Sequence, residues 1–309
     1  MPDATADAAA AAMKFTPEYA AYTEPRFRAE FLADMARVSP FQARHARGAC
    51  TLRYHPRQFD FRALVGDALA AAGMLDRSAL AARGDRLEEL HELVAAEHQA
   101  MDRSQQSSAA RALYQMPAAF AALYERLLAA VVVPQLGLGP AHYQHTPTFR
   151  VFFPQAPGYP GETTFHNDLM IGHNPREVNV FVPLVRCEGT RSLLLADLDD
   201  SLALLRDYEH DFVRFGRDTQ TDAALTARCE RICRPLEVDV GDIVLFDSRC
   251  LHAGPANRTD LTRVTFDARV LPVADLAAQH NTYRGLGRRR ASFALGDYFS
   301  AHAVGGPLP

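Results

Sequence analysis

Apolar positions recur at helical spacing through the first 140 residues, then give way to short alternating runs. Pro17 to Val38 places Tyr19, Tyr22, Phe27, Phe31, Leu32 and Met35 at intervals that mostly keep side chains on one helical face. Phe61 to Met74, Arg86 to Met101 and Ala109 to Val133 continue the pattern, with Leu87, Leu90, Leu93 and Val94 on one stripe. Beyond Gly137-Leu-Gly-Pro140 the runs become short and rich in Val, Phe, Leu and Thr: Thr148–Phe153, Glu177–Leu184, Ser192–Ala196, Glu237–Val240, Ile243–Asp247 and Thr262–Leu271. Strands of this length, cut by Pro, Gly, Asn and Asp, predict a sandwich or barrel. Asp239-Val-Gly-Asp242 reads as a tight turn between two of them. A charged, helix-like insert at 197–233 interrupts the strands. The expected architecture is a mainly β core, a double-stranded β-helix (jelly roll), under a helical N-terminal layer. Residues 1–13 read as a disordered start, 14–140 as the helical region, and 141–309 as the jelly-roll core.

Composition narrows the function classes. The 309 residues carry 48% hydrophobic content, enough for a large core. A net charge of −4 and a pI near 6.3 argue against a nucleic-acid binder, whose footprint is a basic excess. The Ala-rich start from Ala4 to Ala12 has no basic segment before it and does not read as a signal peptide. No apolar run reaches the roughly 20 residues of a membrane span, so no membrane partner is expected. Five cysteines, an odd number in a long chain, fit a reducing cytoplasm. Cys229 and Cys233 lack a second pair at zinc spacing and read as packed helix residues. His91 and His98, two turns apart, read as exposed polar positions.

Three segments carry candidate chemistry. In Phe165-His166-Asn167-Asp168, side chains two apart on an extended strand share a face, so His166 and Asp168 converge while Asn167 turns away. His252 follows the strand Ile243–Asp247 in a loop. Two imidazoles and one carboxylate on one face of a metal leave positions open, the arrangement suited to Fe(II) and O2. Arg263 and Thr265 follow at the start of the last strand, where a guanidinium fork and a hydroxyl could trap a carboxylate. On that strand Arg263, Thr265, Asp267 and Arg269 share one face, and Val264, Phe266, Ala268 and Val270 the other. In a barrel the polar face lines the interior and the apolar face packs on helices.

Residues 141–272 resemble the 2-oxoglutarate/Fe(II) oxygenase superfamily, and within it the phytanoyl-CoA-hydroxylase-like, StrG-like group. The resemblance rests on Thr146-Pro-Thr-Phe-Arg-Val-Phe-Phe-Pro154, Phe165-His-Asn-Asp168, Gly172-His173, Glu177-Val-Asn-Val-Phe-Val-Pro-Leu184, Gly189-Thr190, Asn257-Arg-Thr259 and Thr262-Arg-Val-Thr-Phe-Asp-Ala-Arg-Val270. It implies a jelly-roll core, Fe(II) held by His166, Asp168 and His252, and 2-oxoglutarate as co-substrate with its distal carboxylate on Arg263. It further implies O2 as oxidant and oxidation of a small-molecule substrate, free or carrier-tethered, in bacterial natural-product biosynthesis. Where the group usually has Gly-Asn after the second histidine, this chain has Ala253-Gly254, and its Gly189-Thr-Arg-Ser192 replaces Gly-Thr-Asn-Ser.

Arg150, Asn167, Asn179 and Arg191 are the remaining candidates for substrate or outer-sphere contacts, with Arg150 equally suited to pairing with Asp267. His173 reads as a surface histidine. Arg288-Arg-Arg290 reads as a solvated segment, and Gly296-Asp-Tyr-Phe299 as a fold-back onto the barrel mouth. The competing reading is a cupin-like isomerase or lyase using the same ligands for a Lewis-acid metal; it has no use for the Arg263 and Thr265 trap.

Overall fold

The computed structural model describes residues 29, 32, 33, 35–102, 106–115, 117–156, 164–171, 173–278 and 295–305. The expected start at 1–13, most of the helix expected over 17–38, and Arg288–Arg290 lie outside the described residues.

Among the described residues, nine strands form two sheets. They are β1 (Ala49–Arg53), β2 (Ala141–Tyr143), β3 (Thr148–Phe152), β4 (Val178–Pro183), β5 (Leu194–Leu195), β6 (Arg234–Pro235), β7 (Asp242–Asp247), β8 (His252–Ala253) and β9 (Arg263–Pro272). The larger sheet runs β1-β7-β4-β9-β2, with β3 also paired to β9; the smaller is β6-β5-β8. All named pairings are antiparallel. The fold is the expected sheet-rich jelly-roll type with helices, although the sheets do not close into a barrel. The ten-residue β9 is the spine: β4 covers one edge, while β2 and β3 share the other end to end.

The alternation along β9 decides what packs where. Val264, Phe266, Ala268 and Val270 are fully buried on the outer face. The Phe266 ring meets Phe61, Phe120, Tyr124 and Phe149 at centroid distances of 5.1, 5.6, 6.0 and 6.3 Å. Those contacts seat the helices Phe61–Ala71 and Ala118–Leu127 on the sheet. The first of these begins where Asp60 accepts a hydrogen bond from Ala63 N, an N-cap, and turns Phe61, Val65 and Leu69 inward. The second begins after Pro117, whose fixed φ suits a helix start but ends the run expected from Ala109.

Several elements differ from the periodicity. β1 lies within the region read as all helical, and adds an edge strand beside β7. The helix expected over 86–101 is broken into Leu87–Glu89, Leu90–Leu93 and Ala96–Gln99. Gln99 donates side-chain hydrogen bonds to the carbonyls of His91 and Val94, satisfying the ends left open by the break. Glu237–Val240 forms no strand; Val238 makes one bridge to Cys187 before the Asp239–Asp242 turn. The insert at 197–233 holds three helices, Leu198–Asp207, Phe212–Thr221 and Ala223–Ile232.

Among the described residues, one helical run, Ala118–Leu136, is long and apolar enough to cross a membrane, with mean hydropathy 1.4, contrary to the expectation that none would be. Its length comes from a π-turn at Leu128–Val132 that joins two α segments. The widened turn precedes Pro134, which cannot donate to an α-helical ladder. Phe120, Tyr124, Leu127, Leu128, Val132, Val133 and Leu136 are buried in the main core, so this run is a core helix along one stripe.

Candidate metal centre

His166 and His252 meet because their backbones are joined. His166 N donates to His252 O at 3.0 Å and His252 N donates back to His166 O at 2.8 Å, fixing the two residues opposite each other. β8, which carries His252, pairs on its other edge with Leu195 of β5. The His-x-Asp segment is not the continuous strand expected: His166 makes a single bridge, and the chain turns at once into the 3-10 segment Asp168–Ile171. Asn167 holds that turn. Its side-chain oxygen accepts from Met170 N at 3.2 Å, its amide NH2 donates to Arg249 O at 3.4 Å, and Asp168 N donates to Ser248 O at 3.0 Å. Asn167 thus spends its amide on the turn rather than facing the site.

One ligand atom from each of His166, Asp168 and His252 lies within 4.8 Å of the others, so the three could hold a metal ion. His166 Nδ1 faces Thr164 O at 3.1 Å and His252 Nδ1 faces Cys250 O at 3.0 Å. A carbonyl only accepts, so each Nδ1 carries the proton and each Nε2 keeps its lone pair. Burial pushes the His166 imidazole down to about 3 and lowers that of His252. Both rings are therefore neutral, the form that binds metal. Burial alone would raise Asp168, but the Arg269 guanidinium holds its carboxyl well below the usual range. The arrangement offers two neutral nitrogens and one anionic oxygen at a buried point.

Opposite these residues stands the inner face of the larger sheet. Register places Arg263, Thr265, Asp267 and Arg269 of β9 beside Phe152, Arg150 and Thr148 of β3, and beside Pro183, Phe181 and Asn179 of β4. Arg263 is buried; its Nη1 donates to Ser192 O at 2.9 Å, and its guanidinium lies 5.0 Å from the Phe152 ring centroid and 5.5 Å from that of Phe181. It also sits near Gly254, two residues past His252, where a Cβ would come 3.8 Å from Arg263 Nη1 and 3.3 Å from the Phe152 ring. Thr265 Oγ1 and both amide atoms of Asn179 are buried without a hydrogen-bond partner. Unmet polar atoms in a buried interior are costly, and a polar guest on this face could satisfy them, at Thr265 two residues from Arg263 and at Asn179 beside Arg269. The residues present therefore fit a metal with a small carboxylate ligand.

The other candidates divide. Arg150 makes the expected pair with Asp267, Nε to Oδ1 at 3.4 Å, and keeps some exposure. Arg191 is buried beside Ser192 and bonds Glu188 at 3.4 Å. His173 is buried, not on the surface: its Nδ1 lies 2.7 Å from Glu177, and its backbone N–H donates to Asp168 O. The four-residue spacing of His173 and Glu177 was the available signal. Tyr298, from the expected fold-back, donates to Gln144 Oε1 at 2.8 Å. Cys229 and Cys233 are buried, with burial pushing the Cys229 thiol up to about 12. His91 pairs with Thr262 through Nδ1 at 3.1 Å, and among the described residues His166, Asp168 and His252 form the one metal-capable cluster.

The fold is of the sheet-rich jelly-roll type, and His166, Asp168 and His252 form a two-histidine, one-carboxylate cluster that could hold a metal. The chain matches the family described as phytanoyl-CoA dioxygenase (PhyH) over residues 200–265, a stretch that contains His252, Arg263 and Thr265. It is similar to the streptomycin biosynthesis protein StrG of Streptomyces griseus, 24% identical over 163 residues. That match covers 51% of this chain and 59% of the relative, so the chain spans less than two thirds of StrG's length. Among solved structures it is similar to the non-heme alpha-ketoglutarate-dependent carbocyclase SnoK from nogalamycin biosynthesis, at 15% identity and TM-score 0.46, covering 86% of this chain and 95% of that one. It is also similar to EctD from S. alaskensis with 2-oxoglutarate and 5-hydroxyectoine, at 15% identity and TM-score 0.47, covering 83% and 81%. The resemblance to the Fe(II)/2-oxoglutarate oxygenase superfamily and its StrG-like group stands on the family match and the StrG relative.

Proposed function

We propose that this protein is an Fe(II)- and 2-oxoglutarate-dependent oxygenase that hydroxylates a small metabolite in bacterial natural-product biosynthesis. The observation that carries the reading is the convergence of two neutral Nε2 atoms and one ionised carboxylate at a buried point, opposite a sheet face that holds unpartnered polar groups. Three protein donors leave coordination positions for O2 and a co-substrate. His166, Asp168 and His252 would hold the iron; when bound, it would activate O2, the oxidant, with 2-oxoglutarate as the two-electron reductant that leaves as succinate and CO2. Arg263 and Thr265 bind the distal carboxylate of 2-oxoglutarate. Asn179 serves the same cavity, while Arg150 and Arg191 border the substrate side, free or carrier-tethered.

The helical region 14–140 acts as a layer that braces the core at 141–309, and the five unpaired cysteines suit a cytoplasmic location. A non-oxidative isomerase or lyase is disfavoured, because it has no use for a carboxylate trap at Arg263 and Thr265, and the polar atoms of Thr265 and Asn179 would stay unmet.

The test is anaerobic titration with Fe(II) and then 2-oxoglutarate. A weak visible charge-transfer band should appear, and His166→Ala or His252→Ala should abolish it; a metabolite screen for succinate release then identifies the substrate. Full retention of the band in both variants would sink the assignment.

A further inference from the structure

Arg269 reaches the candidate metal centre from the far end of β9. Its Nε lies 3.1 Å from Asp168 Oδ2 and its Nη2 lies 3.3 Å from Asp168 Oδ1. The guanidinium is 7% exposed and the carboxylate fully buried, so water does not compete for this pair. What makes the contact more than a counter-charge is how Arg269 is itself held. Its Nη1 donates to Asp267 Oδ2 at 2.7 Å and to Gln144 Oε1 at 3.3 Å. Gln144 is fixed in turn: its NH2 group donates to Thr146 O at 2.7 Å and Thr148 Oγ1 at 3.2 Å, which leaves Oε1 to face Arg269 and the Tyr298 hydroxyl. The backbone N of Gln144 also donates to Arg269 O at 2.7 Å. All three guanidinium nitrogens are thus engaged, and the nitrogen that does not touch Asp168 is anchored to a framework that stands without it.

The two oxygens of Asp168 are not equivalent. Both accept from Arg269, Oδ2 from Nε at 3.1 Å and Oδ1 from Nη2 at 3.3 Å, but Oδ1 is the one that also faces His252 Nε2, at 3.7 Å. We infer that Arg269 is a positioning residue: it pins the outer oxygen of Asp168 so that the carboxylate presents a single oxygen, Oδ1, to the metal. This rests on the metal-binding reading above. The consequence is a coordination position kept open, because a carboxylate bound through both oxygens would occupy two. Hydrogen-bonded partners of metal-ligating carboxylates set their orientation, and their loss usually costs about 10- to 100-fold in metal affinity.

Removing a buried positive charge next to a cation site should, by Coulomb attraction alone, tighten metal binding. Positioning predicts the opposite sign, which makes the test decisive. Co(II) is titrated calorimetrically into metal-free wild-type protein and into Arg269→Leu, Arg269→Lys and Arg228→Leu, with circular dichroism confirming that each variant is folded. Arg269→Leu should bind Co(II) about 10- to 100-fold more weakly, and the visible band of its residual complex should shift as the freed second oxygen joins the metal. Arg269→Lys, which keeps the charge and loses the fork, should share the band shift. Arg228→Leu removes a half-exposed arginine paired with Asp207 in the helical insert, and should match wild type. Equal or tighter Co(II) binding by Arg269→Leu, with an unchanged band, overturns the inference and leaves the metal reading intact. Should Arg269→Leu prove unfolded, Arg269→Lys decides by its band alone. No Co(II) uptake by wild type, with His166→Ala indistinguishable from it, overturns both.

Discussion

The two faces of β9 are built from alternate residues of one strand, yet they answer to different physical demands. The outer face is dry, closely packed and aromatic: Phe266 alone gathers rings from two helices and β3. The inner face carries two buried arginines, a buried threonine and an aspartate, with polar atoms lacking a partner at Thr265 and, across the register, at Asn179. A folded chain keeps such groups inside only at a cost. The outer face stabilises the strand's position, and that stability carries the inner face. The contrast teaches that the helical layer is part of the site's machinery without touching it.

The comparison can be broken most severely from the outer side. Phe266→Ala should cost about 3–5 kcal/mol of stability through lost burial and a residual cavity. Chemical denaturation measures this, and the fraction still folded should bind metal as wild type does. On the inner side, Arg263→Leu should leave thermal stability within ordinary limits but weaken 2-oxoglutarate binding by about 30- to 1,000-fold, the loss expected for a charge-assisted pair. Arg269→Leu, run beside it, should act on the metal instead. If Arg269→Leu shows the large co-substrate loss and Arg263→Leu does not, the two arginines have been assigned to each other's roles.

The metal-free site should also be acid-sensitive. An unfolded His166 takes up a proton near pH 6.5, whereas the folded one resists until about 3. The unfolded state therefore binds more protons in that window, and stability rises with pH across it. Between pH 7 and pH 5 the metal-free protein should lose about 2 kcal/mol from this residue, at roughly 1.4 kcal/mol per unit below 6.5. Denaturant midpoints at the two pH values check this, and His166→Gln should flatten the difference. The smallest effect is expected at Thr265. Thr265→Val removes a buried hydroxyl with no partner, so the protein alone should be unchanged or stabler by about 1 kcal/mol, while 2-oxoglutarate binding falls about tenfold.

Much of this arrangement is legible in the order of residues alone. Strict alternation over Arg263–Val270 assigns both faces of β9, while Thr148–Phe153 and Glu177–Leu184 mark its neighbours β3 and β4, and Ile243–Asp247 marks β7 beyond β4, each to within a residue or so. The residues brought together, His166, Asp168 and His252, stand out through their types and their place after strands. What escapes such a reading is set by contacts distant in sequence. β1 is an edge strand of five residues, none of them fully buried, that exists because β7 offers a partner. The turn at Asp168 depends on carbonyls of Ser248 and Arg249, the latter 82 positions from Asn167. The fork from Arg269 to Asp168 needs the sheet and the turn together, and neither local propensity nor spacing encodes that.

The reciprocal backbone bonds between His166 and His252 have a consequence for the chain as a polymer. Those bonds tie together two points far apart along the sequence, and an ion held by both rings would convert that contact into a reversible staple. The loop so closed runs through β4, β5, the helical insert and β7. Binding to the native state alone adds about 2.7 kcal/mol when the free ion stands at 100 times its dissociation constant. The ion would then work as a fastener that resists proteolysis of the insert, whatever chemistry it performs.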